Sequence, residues 1–251
     1  MPRTARKISS TGIYHVIMRG INQEYIFQKN RYKHSIIRIM KEKLEDTSIE
    51  IYGYCIMDNH IHIILKADMS EFSKFLSKVN ISFALYYNYI NERSGYVFQN
   101  RFKSYPIEDE RYFWSCLRYI HNNPNKANIV KEPSHYKWSS YRGYTTGNDL
   151  LLDSKAYILM KSNFLNEDDF AKFHMKMDFV LYPDVKEDVN IMKDMIAEHI
   201  WEATLIAYNL DSILELYTNK AALKYLKTEL KEQAELNIRQ IKEFIQKHEP
   251  M

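Results

Sequence analysis

The sequence predicts an α+β fold, an antiparallel sheet with helices packed on it, followed by a mostly helical C-terminal region. Three observations carry that expectation. Runs rich in β-branched and aromatic residues alternate with amphipathic stretches in the order β-α-β-β-α-β over residues 12–107. Within them, the run Cys55-Ile56-Met57-Asp58-Asn59-His60-Ile61-His62-Ile63-Ile64-Leu65 contains a strand with His60 and His62 on one side and Ile61, Ile63 and Leu65 on the other. Beyond residue 150 the periodicity is helical.

Residues 12–19, Gly-Ile-Tyr-His-Val-Ile-Met-Arg, form the first expected strand, which ends at Gly20. From about Arg31 to Asp46, Ile36, Ile37, Met40 and Leu44 recur at helical spacing among charges. Residues 49–57 make the second strand, and Asp58-Asn59 suits a tight turn into the third. Ser70 is placed to cap a long helix whose stripe is Phe72, Phe75, Leu76, Val79, Phe83, Tyr86 and Ile90, with Gly95 just past its end. Residues 96–107 return to strand. In the next helix Asp109 caps the start and Pro124 is expected to stop it, because the residue before proline is pushed out of the α region. Its stripe is Phe113, Cys116, Leu117 and Ile120, while Tyr119 and Asn123, four apart, share a neighbouring face. This order is the ferredoxin-like split βαβ arrangement, in which right-handed crossovers put the first and third strands side by side in the middle. The histidine strand is then central and rigid.

Thr145-Thr146-Gly147-Asn148-Asp149 reads as a linker and divides the chain into 1–145 and a helical 146–251. Short helices are expected over 150–182, anchored by Tyr157, Leu159, Phe164 and Phe173, then helix from Val189 to about Tyr208 and again from about Asp211 to Gln246. The run Glu235-Leu236-Asn237-Ile238-Arg239-Gln240-Ile241 looks like the start of a helix-turn-helix, with no recognition helix after it. A packing or homodimerisation appendage is the better reading of this acidic part.

With 251 residues, 45% hydrophobic and 27% charged, the chain can bury a full core, which excludes the disordered and fibrous classes. The longest mainly apolar run, around Ile81 to Ile90, is interrupted by Ser82 and Asn88 and is too short to span a bilayer. The basic start Met1-Pro2-Arg3-Thr4-Ala5-Arg6-Lys7 has no apolar segment after it, so a cytoplasmic protein without a membrane partner is expected. Cys55 and Cys116 sit in apolar patterns and form no CxxC, so they read as small buried hydrophobes. Residues 1–145 hold 22 Lys and Arg against 13 Asp and Glu, net +9, while 146–251 hold 13 against 19, net −6. A basic half joined to an acidic half points to a polyanion partner for the first part or to a solvated basic surface.

Neutral imidazoles bind divalent metals well, and an i, i+2 pair on a strand presents two preorganised ligands to one ion. Ordinary hydrogen bonding by two neighbouring histidines is the competing reading, and the pair alone does not decide between them.

The constellation resembles the HUH single-tyrosine transposases, most closely the REP-associated tyrosine transposases. The resemblance is spread over roughly residues 10–145. Tyr14-His15-Val16 through Arg19-Gly20 and on to Ile26-Phe27 looks like the family's opening strand and loop, and Met57-Asp58-Asn59-His60-Ile61-His62 looks like its His-hydrophobic-His motif. Phe98-Gln99-Asn100-Arg101-Phe102-Lys103 resembles the basic strand after the long helix, Tyr119-Ile120-His121-Asn122-Asn123-Pro124 the nucleophile helix, and Trp138-Ser139-Ser140-Tyr141 the closing segment. Asp58, Ile21-Asn22-Gln23 and Asn125-Lys126-Ala127-Asn128 depart from the usual pattern.

What the resemblance implies is a metal-dependent endonuclease and strand transferase acting on single-stranded or hairpin DNA through a 5′-phosphotyrosine intermediate, in transposition or in processing of repeated palindromes. Tyr119 would be the nucleophile. His60, His62 and Asn123 would hold Mg²⁺ or Mn²⁺, and Arg19, Arg101 and Lys103 are candidate DNA contacts. Two rivals stand beside this. A ferredoxin-like RNA-binding module would want stacking rings where His60 and His62 stand. A former transposase would keep single-stranded nucleic-acid binding without cleavage.

Overall fold

In the computed structural model, which describes residues 6–175, 186–210, 213–232, 234 and 236–248, four strands carry the alternation that the sequence requires. They are β1 (Ile13–Arg19), β2 (Glu50–Ile56), β3 (His60–Lys66) and β4 (Lys103–Ile107). The sheet has the order β2-β3-β1-β4 and every pairing is antiparallel. β1 and β3 therefore occupy the middle, as the crossover rule demands. The helices α1 (Asn30–Leu44) and α2 (Met69–Ile90) make the two crossovers. The face of β1 that bears Tyr14 meets α2, with the Tyr14 and Phe72 rings 4.8 Å apart, and α1 buries Ile36, Ile37 and Met40. Cys55 and Cys116 are both buried.

Three boundaries differ from expectation. The residue flanking the start of α2 is Asp68 rather than Ser70, with the Phe72 amide donating to the Asp68 carbonyl at 3.1 Å. The fourth strand begins at Lys103 and not at 96, because Asn100 turns into the left-handed region at φ 57° and interrupts the extended run. The preceding stretch meets the end of β1 through Ile21 N to Val97 O at 2.9 Å, Gln99 N to Arg19 O at 2.8 Å and an isolated Gly20–Phe98 bridge. The helix α3 (Glu110–Lys126) is capped by Asp109, whose carboxylate accepts from Tyr112 N at 2.7 Å, but it runs through Pro124. A proline this near a helix C-terminus removes one intrahelical donor, and the Pro124 carbonyl is used by Ile129 N at 2.9 Å in the turn that follows.

The chain forms two compact units, 1–177 and 178–251. The composition-based division at 145/146 falls inside the first. Past α4 (Tyr141–Thr146), Asp149 is fixed: one carboxylate oxygen accepts from the Tyr54 hydroxyl at 2.7 Å, and the other accepts from Leu151 N at 2.8 Å and Leu152 N at 3.0 Å. Asp153 N donates to the Ile51 carbonyl of β2 at 2.8 Å. The helices α5 (Ser154–Asn163) and α6 (Glu167–Met175) bury Ala156, Met160, Phe170 and His174, whereas Tyr157, Leu159, Phe164 and Phe173 are only partly buried. A buried chain links α6 to α3: His174 Nδ1 meets the Phe170 carbonyl, His174 Nε2 lies 2.9 Å from His121 Nδ1, and His121 Nε2 lies 2.9 Å from Ser140 Oγ.

The second unit comprises α7 (Lys186–Ala207), α8 (Ile213–Thr218), α9 (Lys220–Glu232) and α10 (Ile238–Lys247), closed around Trp201, Leu216, Leu226, Leu230, Ile241 and Phe244. The expected helix over 211–246 is thus three helices. Asn219 and Asn237 mark the breaks, since their side-chain oxygens accept from Ala222 N and Gln240 N, and Gln240 completes a capping box on α10. The expected helical stretch over 176–182, Asp211 and Glu235 lie outside the described residues. Among the described residues, no helix is long and apolar enough to cross a membrane.

Candidate metal and nucleophile site

Directly opposed residues of an antiparallel pair project to the same face. The register sets Arg19 opposite His60 and Ile17 opposite both His62 and Lys103, while His15 faces Ile64 and Tyr105. One face of the sheet therefore carries His15, His60 and His62, with Arg19, Lys103 and Tyr105 around them. Ile61, Ile63 and Leu65 lie on the other face and are fully buried. The helix α3 approaches the histidine face at Gly53, where an added Cβ would stand 2.7 Å from Leu117 Cδ1. Any larger residue there would hold the helix off the sheet.

The two histidines meet edge to face, with ring centroids 4.7 Å apart. His60 Nδ1 lies 2.5 Å from Asn59 Oδ1, and His62 Nδ1 lies 3.0 Å from Nε2 of His15. His60 Nε2 is buried with no hydrogen-bond partner among the described residues. Burial pushes His60 down to about 3, with the charges of Arg19 and His15 adding to the effect. His62 is driven well below the usual imidazole value, first by burial and then by His60, His15, Arg19 and Lys126. Both rings are neutral at pH 7. They are thus in the state that ligates a divalent cation, and the unsatisfied His60 Nε2 is a lone pair waiting for an electrophile. No group of three or more His, Cys, Asp or Glu among the described residues could hold a metal, so a further donor would have to be an amide, a substrate oxygen or water.

Tyr119 stands over this face. Its ring is 5.7 Å from His62, nearly perpendicular, and 6.4 Å from His15. Lys126 Nζ lies 4.7 Å from the ring centroid, and one turn on, Asn123 Nδ2 donates to the Tyr119 carbonyl at 3.2 Å. Tyr119 is only 2% exposed, so it is as deeply buried as the stripe beside which the sequence placed it. Of the basic candidates, Arg19 and Lys103 share the histidine face; Arg101 is exposed and outside the strands, close enough to Arg6 to help lower that guanidinium's pKa after burial. Sequence reasoning put none of His15, Asn59, Tyr105 and Lys126 among the site residues. The signal for His15 was present: it alternates with Ile17 and Arg19 on a strand expected beside the histidine strand.

Fold and site together define a ferredoxin-like α+β domain with a histidine pair on the sheet face under a tyrosine-bearing helix. Residues 9–123 match the family model described as "Transposase IS200 like". Among solved structures, the chain is similar to a REP-associated tyrosine transposase bound to a REP hairpin, with 19% identity and a TM-score of 0.49 over 61% of this chain and 92% of that one. It is also similar to a protein described as a transposase from Deinococcus radiodurans R1, with 13% identity and a TM-score of 0.34 over 48% of this chain and 97% of that one. No curated protein matches the sequence.

Proposed function

We propose that the first unit is a metal-dependent single-strand DNA endonuclease and strand transferase, working on single-stranded or hairpin DNA in transposition or repeated-palindrome processing. The observation that supports it most is the convergence of Tyr119 with the neutral pair His60 and His62 on one sheet face. Mg²⁺ or Mn²⁺, held by His60, His62 and Asn123, would supply Lewis-acid stabilisation of charge on the scissile phosphate. Two imidazoles and an amide add no negative charge that would repel DNA. The Tyr119 hydroxyl attacks phosphorus, a bond forms from its oxygen to phosphorus, and the bond to the 3′ oxygen breaks. The phenol proton passes to water, the 3′ oxygen takes up a proton, and the 5′-phosphotyrosine keeps the ester for a second transfer. Arg19, Lys103 and Arg101 hold backbone phosphates in register. The helices of 178–251 serve as an appendage.

One observation favours a second reading, a non-catalytic single-stranded nucleic-acid binder derived from a transposase. Tyr119 is buried, and a nucleophile must be uncovered before it meets phosphorus. Incubation with single-stranded and hairpin oligonucleotides in Mg²⁺ or Mn²⁺ separates the two. A covalent adduct whose phosphotyrosine peptide contains Tyr119, and which Tyr119→Phe abolishes while DNA affinity stays within a few-fold, fits the enzyme; the lost hydroxyl removes at most about one hydrogen bond. An adduct on another tyrosine such as Tyr112 overturns the site, and no adduct with any substrate leaves the binder.

A further inference from the structure

The hydrogen bonds behind the two histidines follow one pattern. In His60 the Nδ1 atom is engaged by Asn59 Oδ1 at 2.5 Å, and in His62 the Nδ1 atom is engaged by His15 Nε2 at 3.0 Å. An amide oxygen can only accept, so His60 Nδ1 carries the proton and its Nε2 keeps the lone pair. The His15–His62 bond permits two orientations, and only the one in which His62 Nδ1–H donates leaves His62 Nε2 able to ligate. Free neutral imidazole in water favours the opposite, Nε2–H form, so a site that ligates through Nε2 needs something behind the ring to hold the proton on Nδ1.

Both supports are themselves fixed. The Asn59 carbonyl accepts from Gly20 N at 2.8 Å, which anchors the turn to the end of β1. His15 is fully buried on central strand β1, stacked on His62 at 5.2 Å, with Tyr105 at 6.2 Å and Tyr119 at 6.4 Å from its ring. We propose that Asn59 and His15 are positioning residues of the metal centre, each accepting from the Nδ1–H of one ligand histidine and so presenting both Nε2 atoms to a single divalent cation. His15 then carries its own proton on Nδ1. This rests on the metal-site reading above and adds to it a role for two residues outside the ligand set.

The test is Mn²⁺ binding by calorimetry in the full chain, together with long-range ¹⁵N–¹H spectra of metal-free wild type labelled at histidine. His60→Ala should lose the ion. His15→Leu should weaken binding by about 10- to 100-fold, and His15→Gln, whose amide oxygen can accept the same bond, should recover it to within a few-fold. The spectra should show His60 and His62 protonated on Nδ1. A folded His15→Leu that binds Mn²⁺ like wild type while His60→Ala does not, or a His62 protonated on Nε2, overturns the positioning role and leaves the metal site standing. Three imidazole couplings to bound Mn²⁺ in pulsed EPR, rather than two, would make His15 a ligand and equally overturn it. No binding by wild type overturns both readings. Should His15→Leu fail to fold, the wild-type spectra and EPR decide alone.

Discussion

Replacing Gly53 with alanine asks whether the close approach of α3 to the sheet sets the site. An ideal Cβ at this position lies 2.7 Å from Leu117 Cδ1, 3.3 Å from Ile120 Cδ1 and 3.6 Å from Ser140 Oγ. Non-bonded carbons settle at about 3.5–4.0 Å, so Leu117 or the helix must give by about an ångström. Leu117 and Ile120 are fully buried, which leaves the leucine no open space to swing into. Overpacking a filled core costs ~1–3 kcal/mol, and removing a glycine from the unfolded chain offsets ~0.4–1 kcal/mol of that. The net expectation is a loss of ~1–2 kcal/mol in a urea titration. Tyr119 lies between the two residues that are pushed, so a shift of about an ångström reaches the proposed nucleophile and should slow single-turnover adduct formation by up to ~100-fold. DNA affinity should hold, since no basic residue is touched. Leu117→Val, which removes Cδ1, should restore part of both losses in the alanine background, with a coupling of ~1 kcal/mol. Wild-type stability and adduct rate in Gly53→Ala, or strict additivity in the double variant, would refute the reasoning.

Acid should destabilise the first unit through its buried neutral histidines. His60 is held at about 3 and His174 at about 4, both below the ordinary 6.5, so the unfolded chain takes up protons that the folded one refuses. Stability is unaffected by them above pH 6.5 and is lost as pH falls toward about 4 for His174 and about 3 for His60, at up to ~1.4 kcal/mol per pH unit for each ring; equal urea midpoints at pH 7 and pH 5 would contradict it. Lys33 Nζ lies 2.6 Å from Asp58 Oδ1, with the lysine side chain 6% and the aspartate 34% exposed. Lys33→Met removes the ammonium, which lies 5.6 Å from the Tyr136 ring and 6.0 Å from that of Trp138, and strands the carboxylate at the turn before His60; a cost of ~1–2 kcal/mol is expected, below that of a fully buried pair because Asp58 still meets water, and an unchanged melting curve would show the pair to be idle. Lys103→Ala and Arg101→Ala should each reduce the slope of log affinity for single-stranded DNA against log salt by about 1, and a slope that does not move would remove that residue from the phosphate contacts.

The parts of the site that were legible depend on period, and the parts that were not depend on register. His60 and His62 share a face whatever the strand pairs with, because alternation is a property of the strand itself. That β1 and β3 are neighbours follows from crossover handedness. Which residue of β1 meets His62 does not, since sliding the pair by two residues changes every opposed residue while keeping each side chain on its face. The His15–His62 bond was hidden for this reason. The start of α2 was missed for a different one: Asp68 and Ser70 are both good capping residues, and composition does not rank two such candidates a short step apart.

The burial of Tyr119 and the boundary between the two units both lie beyond a single-stripe reading of α3: Tyr119 packs over His62 and His15 on the sheet, and later helices cover a further side. A stripe analysis supposes that a helix buries a single side, and on that supposition Tyr119 lies off the side defined by Phe113, Leu117 and Ile120. The helix α3 is covered twice. The sheet takes the Leu117 side at Gly53, while α6 and the residues before it take another, through His121 on His174 and through Trp114 and Arg118 on the rings of Phe164 and Phe173. That second cover exists only because residues 145–149 turn the chain back and do not release it. Their Thr, Gly, Asn and Asp have the composition of a free linker, yet the same residue types also terminate helices and fix turns. Gly147 ends α4 at φ 69°, and Asp149 gathers two backbone amides and the Tyr54 hydroxyl. Reading that pentapeptide as a turn in place of a tether would have carried α5 and α6 into the first unit and closed the far side of α3 in the same step.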